Sequence, residues 1–266
     1  MKPTLRLATD ADREAVRALC EHLDPHDYLP GVWDAWLHGA GNQMLLAHSG
    51  ATLAGCVFAA PVAPGQIFSQ GLRVHPDYRR LGVATLLMNE QGRMLRERGF
   101  HVARGVTGAA NRRARAFFAT VGWREIEIIH RRRAPGWHAG SAYTACSSIG
   151  RESMLVSREG VAHFRRIFWS ADRAWLDAAA REGRWHECDD ACVLLDPPSS
   201  DFGTWAVALE GRPDALGALL RDLSPPWSAG GGLTVESNDR PALQSMLDWL
   251  GFEPPEDSYV VVECAL

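Results

Sequence analysis

The residue types best suited to binding an anion lie in a short segment, Arg79 to Thr85, that combines basic and small residues. The run reads Arg-Arg-Leu-Gly-Val-Ala-Thr and opens a helix predicted over residues 81–98. The first turn of a helix leaves backbone N–H groups unpaired, and the helix dipole favours negative charge there. Gly82 and Ala84 would leave those N–H groups open to approach, and the two arginines add charge-assisted donors. The run therefore predicts a pyrophosphate-binding loop, or else small residues that only allow close packing of helix on strand.

The residues on either side of this loop narrow the choice. The loop is preceded by Gly71-Leu72-Arg73-Val74, Pro76 and Tyr78, and it is followed at a distance by Asn111, Ala114, Phe118, Gly122 and Trp123. The two motifs, in this order and spacing, resemble those of the GNAT N-acetyltransferases. The resemblance covers about residues 4–132.

The resemblance implies that acetyl-CoA is the co-substrate and that no metal is needed. In the family, the fourth strand pairs with the pantetheine amides, and backbone pairing of this kind suits a ligand with peptide-like groups. The pyrophosphate would lie on residues 80–85, and the helix that begins at Asn111 would contact the outer part of CoA. The implied CoA-binding residues are Leu72, Arg73, Val74, Arg79, Arg80, Leu81, Gly82, Val83, Ala84, Thr85, Asn111, Arg115 and Phe118.

The sequence departs from the family pattern at two positions that often move protons. Phe118 replaces a frequent tyrosine acid, and Gln70 falls where a glutamate base is frequent. An amine acceptor must lose a proton, so water or another residue is required. By position, the candidate catalytic residues are Gln70, His26 and Asp27, with Tyr28 and His75 as further possibilities and a structural role as the alternative for each. A backbone N–H near Arg73 or Val74 could stabilise the oxyanion. The candidate substrate residues are Tyr28, Trp33 and Trp36, for which core packing is the alternative.

Three functions stay open at this point. The first is transfer of acetyl to the primary amine of a small molecule or amino acid, and the resemblance makes the chain an acyltransferase enzyme. Phe118 and Gln70 motivate the second, a non-catalytic acyl-CoA-binding or sensing module. The third is a protein N-terminal acetyltransferase. The segment Asp27-Tyr28-Leu29-Pro30 with Trp36-Leu37 is also similar to the histidine N-acetyltransferase branch, which carries a C-terminal extension.

The elements that must position these residues follow an α/β order with a mixed sheet. Apolar periodicity predicts a helix after a Thr9–Asp12 capping pair and another over residues 32–37. It also predicts a turn at residues 61–65, a helix at 111–120 ending at Gly122, and strands at 4–8, 44–47, 53–60, 67–74, 101–106 and 125–131. The basic run 131–133 is expected to decorate a sheet edge.

The second half repeats part of this order. Strands are predicted at residues 205–209, 233–236 and 258–264, with helices at 214–223 and 241–250. Asn238 precedes a helix that closes on Gly251, as Asn111 precedes one that closes on Gly122. A tandem GNAT-like fold follows, with domains at 1–138 and 150–266 and a linker over 134–150. The second copy is expected to be degenerate because its loop equivalent, residues 211–214, lacks the Arg-x-x-Gly-x-Ala run.

Composition limits the remaining possibilities. The 266 residues are 46% hydrophobic, without an apolar run long enough to span a membrane or an N-terminal signal core, so a cytoplasmic protein is expected. Residues 1–150 carry a net charge of +6, which suits an anionic ligand. Residues 151–266 carry a net charge of −10, which disfavours nucleic acid as a partner for that half. His186, Cys188 and Cys192 are too few for a zinc site. We expect a monomer or homodimer.

Overall fold

The computed structural model describes residues 3–134, 161–164, 167–170, 173–188, 191–195, 204–222 and 233–266. The chain forms two compact units, and neither is a single stretch of sequence. The first unit comprises Met1–Gly105, Arg113–Arg124 and Val262–Leu266. The second comprises Val106–Arg112 and Glu125–Val261. The predicted linker at 134–150 lies outside the described residues except for Ala134, and the two-domain division stays a prediction.

The first unit is built on a mixed sheet whose strand order is β1-β2-β3-β4-β5, followed by the end of β13. Neighbouring strands from β1 to β4 are antiparallel, whereas β4 and β5 run parallel with helix α3 between them in sequence. The elements are β1 (Thr4–Leu7), α1 (Arg13–Leu23), α2 (Leu29–His38), β2 (Gln43–Ser49), β3 (Thr52–Ala63), β4 (Gln66–Val74), α3 (Val83–Glu97), β5 (Val102–Gly108) and α4 (Arg112–Thr120).

A hydrophobic cluster holds α1 and α2 against one face of this sheet. It joins Val16 and Leu19 of α1 to Trp33 of α2 and to Cys56 and Phe58 of β3. The apolar spacing of α1 predicts this contact, because residues three and four apart share one helix face. The predicted Thr9–Asp12 pair is confirmed, with the Asp12 carboxylate accepting from the Thr9 N–H at 2.9 Å.

The second unit contains a mixed sheet of order β13-β6-β12-β11-β10-β9. Its β11–β12 pair is parallel, whereas the β6–β12, β10–β11 and β9–β10 pairs are antiparallel. Its core lies between this sheet and two helices, α6 and α7, which contribute Leu216, Leu220 and Leu247. The elements are β6 (Arg124–Ala134), β7 (Val161–Phe164), β8 (Ile167–Ser170), α5 (Arg173–Arg181), β9 (Trp185–Cys188), β10 (Ala191–Leu195), β11 (Thr204–Gly211), α6 (Pro213–Asp222), β12 (Leu233–Asn238), α7 (Pro241–Trp249) and β13 (Asp257–Ala265).

Three sequence predictions about element bounds are wrong. The helix predicted from residue 81 begins at Val83, and Leu81 is 66% exposed rather than on its buried face. Gly82 has φ +80°, a left-handed conformation that a helix cannot include. The turn predicted at 61–65 is shorter because β3 continues to Ala63, and α2 begins at Leu29, three residues before the predicted start.

The prediction that the basic run 131–133 decorates a sheet edge is also wrong. Strand β6 lies inside the sheet and pairs with β12. Arg132 is 2% exposed, and its guanidinium donates to the carbonyl oxygens of Gln244, Phe252 and Glu253. Gln244 lies within α7, whereas Phe252 and Glu253 follow its end, so this arginine links the segment after the helix to the helix itself.

The structure separates the three residues weighed as a metal cluster. In the β9–β10 register, His186 is opposite Val193, whereas Cys192 is opposite Glu187. Because successive strand residues point to opposite faces, Cys192 lies on the other face from His186 and Cys188. Within the described residues, no group of three or more His, Cys, Asp or Glu side chains is arranged to hold a metal. No helix there is long and apolar enough to cross a membrane.

Candidate acyl-transfer site

The loop before α3 has an unusual backbone conformation, with two residues at positive φ. A single 3-10 turn, Pro76–Tyr78, follows β4, and the Asp77 N–H donates to Nδ1 of His75 at 3.3 Å. Arg80 then takes φ +63°, which is uncommon for a residue with a side chain, and Gly82 takes φ +80°. A Cβ built on Gly82 would meet no protein atom within 4 Å. The loop is thus strained at Arg80 and open to solvent at Gly82, two residues further on.

The first turn of α3 offers backbone donors. The first N–H to find a helical acceptor is that of Leu86, which donates to the Gly82 carbonyl at 2.9 Å. The N–H groups of residues 83–85 have no acceptor among the described residues. Arg79 and Arg80 are exposed and form no ion pair within that part of the chain. Free N–H groups and the helix dipole, with two arginines just before the helix, are features that would favour an anionic group.

Strand β4 leads into this loop through a bulge. Its register with β3 shifts between Cys56 and Phe58, and Gly71 has φ +67° at the bulge. Pairing of β4 with β5 runs only from Gln66 opposite Val102 to Phe68 opposite Arg104. Within the described residues, the last part of β4 therefore has a partner strand on its β3 edge alone, and its other edge keeps backbone groups available.

Asp27, one of the candidate bases, is held in an ion pair. Its carboxylate oxygens accept from Nε and Nη2 of Arg73 at 2.6 and 3.0 Å, and one oxygen also accepts from the Leu29 N–H at 3.0 Å. Burial raises the pKa of Asp27, but the hydrogen bonds from Arg73 and Leu29 outweigh it, so the pKa lies below its usual range. A carboxylate with so low a pKa is a weak base, and this geometry ties the α1–α2 connection to the end of β4.

Three aromatic rings lie beside the β4 bulge. Trp36 stacks on Phe58 with centroids 4.0 Å apart, and Tyr28 meets Trp36 edge-on at 5.9 Å. A Cβ on Gly71 would come within 2.7 Å of the Trp36 ring, so the ring contacts the bulge directly. Tyr28 is 52% exposed. Two of the three candidate substrate residues are thus brought together at the strand that would hold the acyl group.

The remaining candidates are spread more widely. Trp33 is 1% exposed and packs in the α1–α2 core, away from the surface. Gln70 is opposite Phe58 in the β3–β4 register, so its side chain points to the same face of the sheet as Phe58, the face on which Trp36 packs. His26 is exposed, and only its backbone N–H bonds locally, to Asp24. His75 stacks against His22 of α1 at 5.3 Å.

The helix that begins near Asn111 is divided between the compact units. Asn111 belongs to the second unit, whereas Arg115 and Phe118 belong to the first. The Phe118 ring lies 5.5 Å from the ring of Trp123, so it has an aromatic packing partner. Gly122 ends this helix with φ +82°, as its position in the motif predicts.

Sequence reasoning missed two buried groups near this site. Cys20 and Cys56 lie in the core beside the Asp27–Arg73 pair, and burial raises their pKa values to about 11 and about 12. Thiols with such pKa values stay protonated and unreactive at neutral pH. It also missed that Arg104 and Glu263, 159 residues apart, form a buried ion pair in the first unit. No local pattern in the sequence indicates either grouping.

The first unit thus combines a mixed sheet, a bulged fourth strand and a helix, α3, whose first turn has free backbone N–H groups within the described residues. Residues 7–123 match the profile of the family described as "Acetyltransferase (GNAT) family". This part of the chain is therefore a GNAT acetyltransferase domain, and the protein is an acyltransferase enzyme, as the sequence predicts.

Comparison with solved structures extends the likeness in fold to almost the whole chain. A Thermoplasma acidophilum protein proposed to be an acetyltransferase is 14% identical, with a TM-score of 0.62, and the match covers 99% of this chain and 100% of that one. A GCN5-related N-acetyltransferase from Sphaerobacter thermophilus is 16% identical, with a TM-score of 0.61 and coverage of 99% and 95%. At such identities the likeness concerns the fold alone. No curated protein sequence matches the chain.

Proposed function

We propose that this chain is an acetyl-CoA-dependent N-acetyltransferase that transfers acetyl directly to the primary amine of a small molecule or amino acid. The observation that carries the proposal is the loop before α3. It combines a left-handed Gly82 with open space above it, N–H groups at residues 83–85 that find no acceptor in the described part of the chain, and two arginines that find no acidic partner there. Few ligands other than a pyrophosphate would use all three features.

The residues present fit acetyl-CoA as the second substrate. In the proposal, residues 80–85 hold the pyrophosphate, and Leu72, Arg73 and Val74 offer backbone groups of β4 to the pantetheine amides. Arg79, Arg115 and Asn111 are proposed to contact the outer part of CoA, and Phe118 to pack beside it. The thioester supplies the activated acetyl group, and the chain supplies its position and polarisation.

Few of the predicted site residues can accept or donate a proton in the reaction. Phe118 has no ionisable proton, Gln70 cannot accept one at neutral pH, and Asp27 is held ionised by Arg73. We propose that water removes the amine proton and protonates the thiolate, with the backbone N–H at Arg73 or Val74 stabilising the oxyanion. His26 is the remaining candidate base among the predicted residues, since its ring is exposed.

The acceptor is proposed to bind beside the aromatic group formed by Tyr28, Trp36 and Phe58. These rings contact the β4 bulge, next to which the acyl group would lie, and the Arg73 guanidinium lies 5.5 Å from the centre of the Tyr28 ring. An apolar wall beside charged groups suits a small amine that carries an apolar or aromatic part. Histidine belongs among the amines to test because residues 27–30 resemble the histidine branch.

The second unit is proposed to be a degenerate GNAT-like copy. Its order β11-α6-β12-α7-β13 repeats β4-α3-β5-α4-β6, and both repeats contain one parallel strand pair joined through a helix. Gly251, with φ +82° after α7, corresponds to Gly122 after α4. A cytoplasmic location and a monomeric or homodimeric state stay predictions.

The decisive experiment combines binding with turnover. Calorimetric titration with CoA would measure affinity, and release of free CoA thiol from acetyl-CoA would be followed with a panel of small amines and amino acids, including histidine. Peptides with free N-termini would form a separate arm. We expect CoA binding and thiol release that depends on a small amine. Binding without release for any amine, or release only with peptides, would contradict the proposed acceptor class.

A further inference from the structure

The last residues of the chain, Val262–Leu266, belong to the first compact unit although they close a strand of the second half. The Leu266 N–H donates to the His101 carbonyl at 2.9 Å, beside the start of β5. A Cβ on Gly105 would lie 3.6 Å from the Val262 side chain. The acetyltransferase unit is therefore completed by residues about 140 positions beyond the segment that matches the family.

Glu263 connects this C-terminal segment to β5 and β4. Its Oε2 accepts from Nη2 and Nε of Arg104 at 2.7 and 3.0 Å, and its Oε1 accepts from Nη2 of Arg124 at 2.6 Å. Arg104 also donates from Nη1 to Oε1 of Gln66, in β4, at 2.6 Å. One buried guanidinium thus joins three strands through hydrogen bonds.

This network lies where β4 and β5 separate. Arg104 is opposite Phe68 in the last paired position of the two strands. At the next residue, a Cβ on Gly105 would come within 2.9 Å of the Ser69 carbonyl oxygen, so the backbones are still in close approach there. Beyond this point β4 continues to the bulge and the loop without β5 as a partner in the described residues.

Burial makes the geometry of the network sensitive to its charges. The Arg104 side chain is 6% exposed and that of Glu263 is 14% exposed. A guanidinium removed from water needs its carboxylate partner, because an unpaired buried charge is strongly unfavourable. If the partner were neutral, Arg104 would tend to move toward solvent and take β5 with it. The separation of β4 and β5 would then change where pantetheine has to pair.

We propose that Glu263 is a positioning residue for acyl-CoA: through Arg104 and Gln66 it fixes the point at which β5 leaves β4, and with it the free edge of β4. This inference rests on the proposed function, because it assumes that the free edge binds the pantetheine arm. It assigns a role in cofactor binding to the C-terminal strand of the second half, outside the segment 7–123 that matches the family.

The test compares Glu263→Gln with Glu236→Gln, a matched change in the second unit. Glu236 is also a buried carboxylate, and its Oε1 accepts from Nη2 of Arg131 at 2.7 Å. Both variants should lose thermal stability, because each removes a carboxylate charge that pairs with a largely buried arginine. Only Glu263→Gln should bind CoA more weakly, by roughly tenfold, since small displacements of a binding edge have large effects. With an acceptor in hand, its KM for acetyl-CoA should rise more than kcat falls.

A second variant covers the case in which Glu263→Gln fails to fold. Gln66→Met leaves the Arg104–Glu263 ion pair in place and removes only its link to β4. It should weaken CoA binding in the same direction with a smaller loss of stability. Unchanged CoA affinity in Gln66→Met, or in a folded Glu263→Gln, would overturn the inference, and so would an equal loss in Glu236→Gln. Failure of the unmodified protein to bind CoA would refute the proposed function itself.

Discussion

Replacing Gly82 by alanine separates the backbone role of the phosphate loop from its binding role. Gly82 caps α3 with φ +80° and ψ +3°, a left-handed conformation. An L-residue with a side chain pays about 1–2 kcal/mol to adopt it. Since a Cβ at this position would meet no protein atom within 4 Å, no further steric cost arises in the free protein. The Gly82→Ala variant should therefore fold, with a free energy of unfolding lower by about that amount.

The effect on binding should be larger than the effect on stability. The added methyl group would occupy part of the open space through which a phosphate would reach the N–H groups of residues 83–85. Hydrogen bonds to a charged group contribute about 1.5–3 kcal/mol each. Loss of one such bond, about 2 kcal/mol, corresponds to a roughly 30-fold higher Kd for CoA. Urea unfolding and calorimetric titration with CoA would measure the two effects separately.

The same helix supplies the matched control at its other end. Gly99 follows α3 with φ +86°, and a Cβ there would also meet no atom within 4 Å. Gly99→Ala should thus show a similar loss of stability, because the backbone cost is the same, while CoA affinity stays unchanged. If Gly82→Ala and Gly99→Ala bind CoA equally well, or lose affinity to the same extent, the loop does not hold the pyrophosphate and the reasoning is refuted.

Three further changes test single interactions. Arg80→Gly removes the strain of φ +63° and should raise the free energy of unfolding by up to about 1 kcal/mol, yet it should weaken CoA binding and make that binding less dependent on salt. Titrations with CoA at two ionic strengths check this, and an unchanged affinity would count against a phosphate contact. Hydrogen bonds from Arg6, aided by Thr9, hold the pKa of Asp12 below its usual range, so Asp12 stabilises the fold above about pH 4 and loses this effect as the pH falls further. Asp12→Asn should cost about 1 kcal/mol at pH 7 and less near pH 2; a pH-independent difference in urea unfolding would contradict this. Arg132→Met removes the guanidinium hydrogen bonds to three carbonyl oxygens and should cost about 3 kcal/mol with unchanged Kd for CoA, so weakened CoA binding would contradict a purely structural role.

Local signals in the sequence predicted the elements that carry the site. Gly99 and Gly122 end their helices in the left-handed conformation that glycine allows, as their positions predict. The order of strands and helices from residue 4 to residue 134 also follows from apolar periodicity, within a few residues at each end. The largest error there concerns Leu81, which fits the apolar face of α3 by spacing but lies before Gly82 and is exposed. Apolar spacing alone does not indicate that a left-handed residue interrupts the helix.

Contacts between distant parts of the chain could not be predicted in this way. By its sequence context Arg132 is one of three surface arginines, and only the folded chain shows that α7 and the segment after it supply its acceptors. Glu263 and Arg104 are separated by 159 residues, and neither lies in a motif. Both cases involve a buried guanidinium that has at least one partner in the second half of the chain. Residue types alone favour exposure for arginine, so burial becomes visible only when the partners are known.

The difference between the two strand–helix connections bears on how many acyl-CoA molecules one chain can hold. From the end of β4 to the start of α3 there are eight residues, which form the 3-10 turn and the left-handed cradle. From β11 to α6 there is one, Arg212, and the helix begins with Pro213 and Asp214. The carboxylate of Asp214 already occupies the positive end of the helix dipole and pairs with Arg212 at 3.1 Å. An anionic phosphate would be repelled there, so a repeated fold in the second unit would not by itself provide a second phosphate site.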